Sequence, residues 1–321
     1  MATHQPPSGF GRALWVAGLI GTNVLTFLAT LLFAQAVWSY NNTATAGQTA
    51  TPGGAATTQP STRPTTQPAN GSPLIEVVNA APADDNPLAD LVGKLTTSDG
   101  DGTYDHAAYD AILGDVVQGE LVDYGRLKAE HSAELDGYLD GIASMDEAAL
   151  LSLSRDAQLA LLINLYNAEM IDTVAERLTS GYGVGEDDFA VFDEPLVTLA
   201  GLTFSLNDLE HRLIREAFDE PGIHAALVCA AMSCPPLLPD AYEAATVRRT
   251  LEDNVRRWID GPRNEIDHPA RTLRLSSIFD WYGVDFADGD VAAFVDGYTD
   301  RDVSGYAVEF LPYDWTLNDV D

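Results

Sequence analysis

The stretch HAALVCAAMSCPPL, from His224 to Leu237, contains both cysteines of the chain and one of its six histidines. A thiol beside an imidazole indicates nucleophilic catalysis, because the imidazole can accept the thiol proton. The apolar run that ends at Cys229 predicts a strand, in which side chains alternate between the two faces. His224 and Cys229 would then point to opposite sides. Cys234 follows a loop and precedes Pro235, which fits the first residue of a helix, and a helix N-terminus lowers the pKa of a thiol. The pattern predicts Cys234 as nucleophile and His224 as its base.

Three other roles for the two cysteines stay open. Cys229 and Cys234 form a disulfide if their Cα atoms come within about 7 Å and the compartment is oxidising. Alternatively, both are small buried hydrophobic residues. A metal site would use the Cys-x4-Cys spacing together with His224 or His211, which is not the usual pairing of metal-binding cysteines. We therefore predict no metal ion and no cofactor.

Two amides are predicted on a buried helix. The helix predicted over 157–178 contains LALLINLYNA, which is apolar nearly all round and therefore belongs in a core. Asn164 and Asn167 share one stripe of this helix, because residues three or four apart lie on the same face. A buried amide needs hydrogen-bond partners. The pair either ties loops to the helix or orients a substrate or a catalytic imidazole, and Asn164 is a candidate for the second role.

A carboxylate is predicted on a second buried stripe. Residues 205–218 predict a helix in which Ser205 and Asp208 form a capping box. Glu210 lies on the apolar stripe of this helix, and His211 lies toward its flank. A carboxylate that faces a core is paired with an arginine, has a raised pKa or binds a metal. Glu210 is thus a second candidate for orienting the imidazole.

The elements that must position these residues indicate a helix-rich α+β fold with a small sheet. We predict a single globular domain over 86–321. Its first part, 86–115, is predicted as acidic loop, and short helices are predicted over 119–139. An amphipathic helix is predicted over 241–259, and a strand leading into a turn over 273–282. The chain lacks the Gly-rich βαβ turns of a dinucleotide-binding domain.

The residues before this domain predict an anchor and a stalk. Residues 13–38 contain no charged side chain and are long enough to cross a hydrocarbon layer of about 30 Å. Residues 41–73 are rich in Thr, Pro, Ala and Gly, so they are predicted to form a disordered stalk. Residues 1–12 would be a short cytoplasmic N-terminus.

Charge placement predicts the orientation of this anchor. Arg12 precedes the apolar stretch, and the next cation of the chain is Arg63. The positive-inside rule then places the N-terminus inside and the C-terminal domain outside a cell membrane crossed once. The alternative is a signal peptide cleaved near Ala36, which would release the remainder as a secreted protein. Both alternatives predict an extracytoplasmic domain.

The charge of the chain limits its partners. The net charge is -32, with 49 Asp and Glu against 17 Lys and Arg. Such a surface repels phosphate backbones, so nucleic acid is excluded as a partner. Self-repulsion also destabilises a compact state unless salt screens it. The composition is therefore typical of a halophilic, acidic proteome.

Six blocks of sequence resemble one known family, the uncharacterised "domain of unknown function 547" family. The blocks follow the family order and are distributed over about 120–318. They are LVDYGRLK (121–128), LINLYNA (162–168), FSLNDLEHRLIR (204–215), IHAALVCAAMSCPPL (223–237), LRLSSIFDWYGVDF (273–286) and YDWTLN (313–318).

The resemblance implies which residues occur together but supplies no settled activity. We hypothesise that they gather in one pocket, in which Cys234, His224, Glu210 and Asn164 are the catalytic candidates. The residues predicted to bind are Tyr166, Asn167, His211, Trp281, Asp285, Asp314, Trp315 and Asn318.

Three functions follow from these observations. The first is a membrane-tethered module that binds an unknown protein or small-molecule ligand without chemistry. The second is a thiol-dependent hydrolase or acyl transferase that uses Cys234 and His224. The third is a metal-binding enzyme.

Overall fold

The computed structural model describes residues 87–179, 181–185 and 189–320. The predicted N-terminus, anchor and stalk, at 1–12, 13–38 and 41–73, lie outside the described residues. Within the described ranges, no helix is both long enough and apolar enough to cross a membrane. The interpretable part is helix-rich with small sheets, which confirms the predicted α+β class.

The central helix, Arg155–Arg177, organises the larger core. Ser154 caps its N-terminus by accepting a hydrogen bond from the backbone N–H of Ala157. Its side chains are buried without interruption from Ala157 to Ala168. The helix therefore lies in the core with other elements on every face, as its nearly all-round apolar pattern predicted.

The chain before the central helix is more helical than predicted. Residues 86–115 were expected to be loop, but Leu88, Leu91 and Leu95 bury one face of a helix against the core. Short helices follow, as predicted, after a tight hairpin. The elements of this part are the helices Pro87–Thr97 and Ala107–Val116, the hairpin strands Val117–Gln118 and Leu121–Val122, the helix Tyr124–Arg126, the π-helical Leu127–His131, and the helices Ser132–Ala143 and Glu147–Leu151.

The chain after the central helix contains short elements and two small sheets. Strand Thr272–Ser276 pairs antiparallel with Glu265–Asp267 and parallel with Ala307–Leu311. A hairpin of Val197–Leu199 and Leu202–Phe204 is separate from this sheet. The other elements are the 3₁₀ helices Ala190–Phe192, Pro221–Ala225, Gly283–Asp285 and Ala287–Gly289, the π-helical Asp208–Ile214, and the helices Arg215–Ala217, Val247–Ile259, Ile278–Trp281 and Val291–Asp296.

Helix Val247–Ile259 joins the two hydrophobic cores. Its first turns place Val247 and Leu251 in the core around the central helix. Its last turns place Val255 and Trp258 in a smaller core beneath the three-stranded sheet. The predicted start at residue 241 was wrong, because residues 241–246 form turns before the helix begins.

The predicted strand before Cys229 is also wrong. Pro221–Ala225 is a 3₁₀ helix that Glu220 caps by accepting a hydrogen bond from the Gly222 N–H. The extended residues that follow have no strand partner, because the Asn167 side chain satisfies the Ala226 carbonyl and the Val228 N–H. The alternation argument that separated His224 from Cys229 therefore does not apply.

The segment that carries Glu210 is helical, as predicted, and begins with the predicted capping box. The Asp208 N–H donates to Ser205 Oγ at 3.0 Å, and the Ser205 N–H donates to Asp208 Oδ2 at 3.3 Å. The helix then widens into the π-helical Asp208–Ile214, called the π segment below. Such widened turns occur often at functional sites.

Candidate active site

A cleft opens beside the central helix. Its walls come from the central helix, the π segment, the stretch from His224 to Cys234, helix Ile278–Trp281 and the C-terminal residues. The lining residues are Tyr166, Phe192, Asn207, Glu210, His224, Leu227, Cys229, Cys234, Ile278, Trp281, Tyr282, Tyr313 and Trp315.

His224 is held by an aspartate and an arginine. Its Nε2 is 2.7 Å from Asp285 Oδ2. Arg215 grips the same carboxylate with two hydrogen bonds, of 2.7 Å from Nε and 2.8 Å from Nη2. Burial alone would raise the pKa of Asp285, but the bonds from His224 and Arg215 outweigh it and hold the pKa well below its usual range. A charged Asp285 accepts the Nε2 proton, so Nδ1 of neutral His224 is the free basic nitrogen.

Aromatic rings fix the plane of this imidazole. Tyr282 stacks on His224 with ring centroids 4.2 Å apart, and Phe286 lies 5.3 Å away. The guanidinium of Arg215 lies 5.2 Å from the centre of the Tyr282 ring. The His224 side chain is only 2% exposed. Packing and hydrogen bonding thus leave the imidazole one orientation.

The π segment places a carboxylate on the other side of His224. Glu210 Oε1 lies 3.9 Å from His224 Nδ1 and 4.0 Å from His211 Nδ1. Burial raises the pKa of Tyr282, and its hydrogen bond to Glu210 adds to the effect, so the phenol stays protonated. Burial lowers the pKa of His211, which therefore stays neutral. The Nε2 atom of His211 is buried without a hydrogen-bond partner.

Cys229 is the more accessible of the two cysteines in the cleft. The Tyr313 hydroxyl lies 3.1 Å from its sulfur. Burial opposes ionisation of Cys229, but hydrogen bonds from the Cys234 thiol, the Tyr313 hydroxyl and the Ala231 N–H hold its pKa below the ordinary value. The residue is half-buried. Cys229 thus combines partial access with a lowered pKa.

Cys234 is the buried partner of this thiol. The Cys229 N–H donates to the Cys234 sulfur at 2.8 Å. Burial raises the pKa of Cys234 well above its ordinary value, and the neighbouring Cys229 sulfur raises it further. No helix follows Pro235, so the predicted helix N-terminus at Cys234 was wrong. Both cysteines are free thiols in the structure, and the disulfide stays a prediction.

One wall of the cleft is aromatic and consists of Trp281, Tyr313 and Trp315, called the aromatic wall below. Trp281 and Trp315 lie nearly parallel, at 11°, with ring centroids 5.7 Å apart. Tyr313 packs against both rings, at 4.8 Å from Trp281 and 4.4 Å from Trp315. Phe189 packs edge-on against Trp315. These rings offer a flat apolar surface next to the thiol.

The structure gathers most of the predicted site residues. Among the catalytic candidates, His224, Cys234 and Glu210 line the cleft. Among the predicted binding residues, Tyr166, Trp281 and Trp315 line it too. Asp285 and His211 stand behind these, in contact with Arg215.

The predicted amides support the cleft from outside it. Asn164 donates to the Tyr242 carbonyl and accepts from the Tyr242 N–H, so its side chain binds a loop rather than His224. Asn318 accepts a hydrogen bond from the Tyr124 hydroxyl. Asp314 is exposed, and its side chain binds Thr316 within its own turn.

The sequence analysis missed three residues of this site. They are Arg215, which contacts Asp285, Tyr282, which contacts His224, and Tyr313, which contacts Cys229. Each lies inside one of the six blocks that resemble the family, so their membership of the blocks was the available signal. Which group each would contact depends on long-range packing that no local pattern contains.

One group of side chains has the spacing of metal ligands, and it lies apart from the cleft. Among residues 87–179, 181–185 and 189–320, one group of three side chains brings its ligand atoms within 4.8 Å of one another, namely Asp115, Glu130 and His131. That group lies outside the cleft, and Arg126 pairs with both of its carboxylates.

Comparison with known families gives a match for part of the chain. Residues 150–259 match the family model described as "Protein of unknown function, DUF547". No curated protein and no solved structure gave a match. The matched segment contains Glu210, His224 and both cysteines, whereas Asp285 and the aromatic wall lie beyond it. The resemblance found in the sequence is thereby confirmed for residues 150–259, which match the model of a family whose function is unknown.

Proposed function

We propose that the cleft is the active site of a thiol-dependent acyl transferase or hydrolase, in which Cys229 is the nucleophile and His224 the base. The observation that carries this proposal is the half-buried residue Cys229, whose sulfur lies 3.1 Å from the Tyr313 hydroxyl in a cleft that also contains a carboxylate-bound imidazole. This assignment replaces Cys234, which is buried and has a raised pKa. In the part of the chain that the structure describes, no hydrogen bond joins Cys229 to His224, and such contacts are often loose before substrate binds.

The reaction divides into two steps. The Cys229 sulfur attacks an acyl carbonyl and forms a thioester, while its proton passes to His224 Nδ1 and then to the leaving group. Water or a second acceptor then attacks the thioester and releases the thiol, with His224 again moving the proton. Asp285 and Arg215 act as positioning residues, because they hold the imidazole in the required tautomer.

Acylation of the full chain by p-nitrophenyl acetate, in reducing buffer, tests this proposal. We expect a burst of p-nitrophenol and an acetyl group on the tryptic peptide that contains both cysteines. The Cys229→Ser variant should lose the burst, and Cys234→Ser should keep the acetyl group on residue 229. A thiol that reacts no faster than in the urea-unfolded chain, with no acyl adduct, would refute the proposal.

A second function is favoured by the aromatic wall. Parallel tryptophans beside an apolar cleft suit a binding module for a small molecule or for an unknown protein that presents an apolar group. Titration of a library of small acyl and aromatic compounds against tryptophan fluorescence tests this function. Binding that Cys229→Ser leaves unchanged, without any turnover, would favour the module over the enzyme.

We also propose that the chain is a single-pass membrane protein with its C-terminal domain outside the cell. The uncharged residues 13–38 support this proposal. The full chain should then stay in membranes after alkaline carbonate extraction. A soluble product whose N-terminus lies near Ala36 would instead identify a cleaved signal peptide.

A further inference from the structure

Beyond acyl transfer, we propose that Cys229 and Cys234 form a redox-active dithiol site that exchanges with small, uncharged disulfides. The proposal rests on the position of the two sulfurs, on their unequal access and on the rigid loop between them. The loop between them is called the thiol loop, Cys229–Cys234.

The thiol loop holds both sulfurs close to each other. The Cys229 N–H donates to Cys234 Sγ at 2.8 Å. Because the N–Cα bond adds about 1.5 Å, the Cys234 sulfur lies within about 4.3 Å of the Cys229 Cα. The Cys234 N–H donates to the Ala231 carbonyl at 3.0 Å, which closes the turn. Rotation of the Cys229 side chain then suffices to approach the 2.05 Å or so of a disulfide.

The C-terminal residues hold the thiol loop in place. The N–H of Met232 donates to the Thr316 carbonyl, and the N–H of Ser233 donates to the Asp314 carbonyl. The Asp314 N–H in turn donates to Ser233 Oγ at 2.8 Å. A loop held by these bonds loses little conformational entropy when its sulfurs join, so the disulfide is favoured over two mixed disulfides.

The two thiols have different access and therefore different roles. Both cysteines line the cleft, but Cys229 is half-buried whereas Cys234 is buried. An external disulfide RSSR thus meets Cys229 first. The Cys229 thiolate attacks one sulfur of RSSR, forms a mixed disulfide and releases RS⁻.

Cys234 resolves the mixed disulfide. Its sulfur attacks the Cys229 sulfur, forms the Cys229–Cys234 bond and releases the second RS⁻, which takes the Cys234 proton. Two protein thiols are oxidised, and one RSSR is reduced to two RSH. Burial keeps Cys234 protonated, and the neighbouring Cys229 sulfur adds to this effect until Cys229 is covalently bound to sulfur. The second step therefore becomes accessible only after the first.

The charge of the protein selects the oxidant. A net charge of -32 repels anionic disulfides such as oxidised glutathione. The aromatic wall beside Cys229 is apolar and neutral. We therefore expect 2-hydroxyethyl disulfide, which is small and uncharged, to react faster than oxidised glutathione at low salt, with the difference shrinking as salt rises.

The test treats the reduced full chain with 2-hydroxyethyl disulfide and follows the tryptic peptide Glu216–Arg248, which contains both cysteines. We expect this peptide to lose the mass of two hydrogen atoms and to regain it with a dithiol reductant. The reaction should be at least about tenfold faster than the first exchange of the urea-unfolded chain at neutral pH. Mixed disulfide at both cysteines, or two thiols that survive in excess reagent, would overturn the proposal.

Two variants assign the roles. In the Cys234→Ser variant, the mixed disulfide should accumulate on Cys229. In the Cys229→Ser variant, Cys234 should stay reduced over the time in which the unmodified chain is fully converted. Circular dichroism checks the fold of each variant, and the unmodified chain decides the question alone if a variant unfolds. Because acylation is measured in reductant and exchange is measured without an acyl donor, either function can fail without the other.

Discussion

At the scale of single residues, the site depends on one carboxylate with two cationic neighbours. Asp285 binds both the His224 imidazole and the Arg215 guanidinium, and its side chain is 23% exposed. Removal of one partner from such a partly buried cluster leaves the other groups without compensation. Asp285 therefore contributes to stability as well as to the orientation of His224.

The Asp285→Asn variant should lower the free energy of unfolding at pH 7 by about 2 kcal/mol, the size expected for hydrogen bonds between charged groups. The folded pKa of Asp285 lies below its unfolded value of about 3.9, so its contribution is complete above that pH and disappears as the pH falls through the folded pKa. Urea unfolding should show a constant difference in unfolding free energy between the variant and the unmodified chain from pH 7 to about pH 4. This difference should narrow between about pH 4 and pH 3. The exposed Asp280→Asn is the control, and an equal loss there would contradict the assignment.

His106 should make stability fall in mild acid. Burial lowers its pKa to about 4, and its Nδ1 lies 2.8 Å from the Tyr138 hydroxyl. The folded protein therefore disfavours the proton that the unfolded chain accepts at about pH 6.5, and the contribution of neutral His106 is lost as the pH falls from about 6.5 to 4. The loss should be on the order of 3 kcal/mol.

Comparison of two variants checks this prediction. His106→Gln keeps a hydrogen-bonding side chain but cannot titrate, so its unfolding free energy should vary less between pH 6.5 and 4. The half-buried His268, next to Tyr306, provides the matched His268→Gln control. Identical pH profiles for His106→Gln and the unmodified chain would rule out this role.

Residue chemistry was predicted better than residue contacts. The sequence singled out His224, Glu210 and the two cysteines, because polar groups on apolar stripes must find partners. Its choice of Cys234 as nucleophile depended on a regular strand and on a helix after Pro235, and the structure contains neither. The donors that stabilise Cys229 come from Tyr313 and from the loop backbone, and sequence spacing does not reveal them.

At the scale of secondary structure, the central helix supports two loops with two equivalent amides. Asn167 donates to the Ala226 carbonyl and accepts from the Val228 N–H, directly before Cys229. Asn164 makes the same two bonds to Tyr242, outside the cleft. One helical stripe thus provides a site variant and its matched control.

Alanine at either asparagine should destabilise the protein by about 2–3 kcal/mol, because buried backbone groups lose their partners. Only Asn167→Ala should also change the alkylation rate of Cys229 by iodoacetamide, because only the two hydrogen bonds of Asn167 hold the chain next to the thiol. Urea unfolding and alkylation under folded conditions measure the two effects separately. If both variants changed the rate equally, general loosening rather than local positioning would explain it.

Strong periodicity predicted elements well, and side-chain competition explains the errors. The central helix and the capping box of Ser205 and Asp208 were predicted because their signals are local. The run before Cys229 has strand-like residues, but Asn167 occupies the backbone groups that a partner strand would need. The π-helical widening around Glu210 has no local sequence signal that we recognise.

At the scale of the whole molecule, the cleft residues come from both hydrophobic cores. The larger core holds the central helix and Cys234, and the smaller core holds Tyr282 and Phe286, which contact His224. Helix Val247–Ile259 belongs to both. The relative position of the thiol and the imidazole therefore depends on the packing of this helix, and a sequence pattern alone could not predict it.

The net charge of -32 gives the last prediction. Raising KCl from 0.1 to 1 M shortens the screening length from about 10 Å to about 3 Å, which weakens both attraction and repulsion. Exposed pairs such as Arg248 with Asp156 contribute little, whereas the buried Arg215–Asp285 pair is screened less. Repulsion among the excess carboxylates should therefore dominate, and the urea midpoint of the full chain should rise with KCl.

Urea is the right denaturant because guanidinium is itself a salt. Sucrose provides the control for solvent exclusion, and a midpoint that rises equally in sucrose, or falls in KCl, would show that self-repulsion does not limit the stability of this protein.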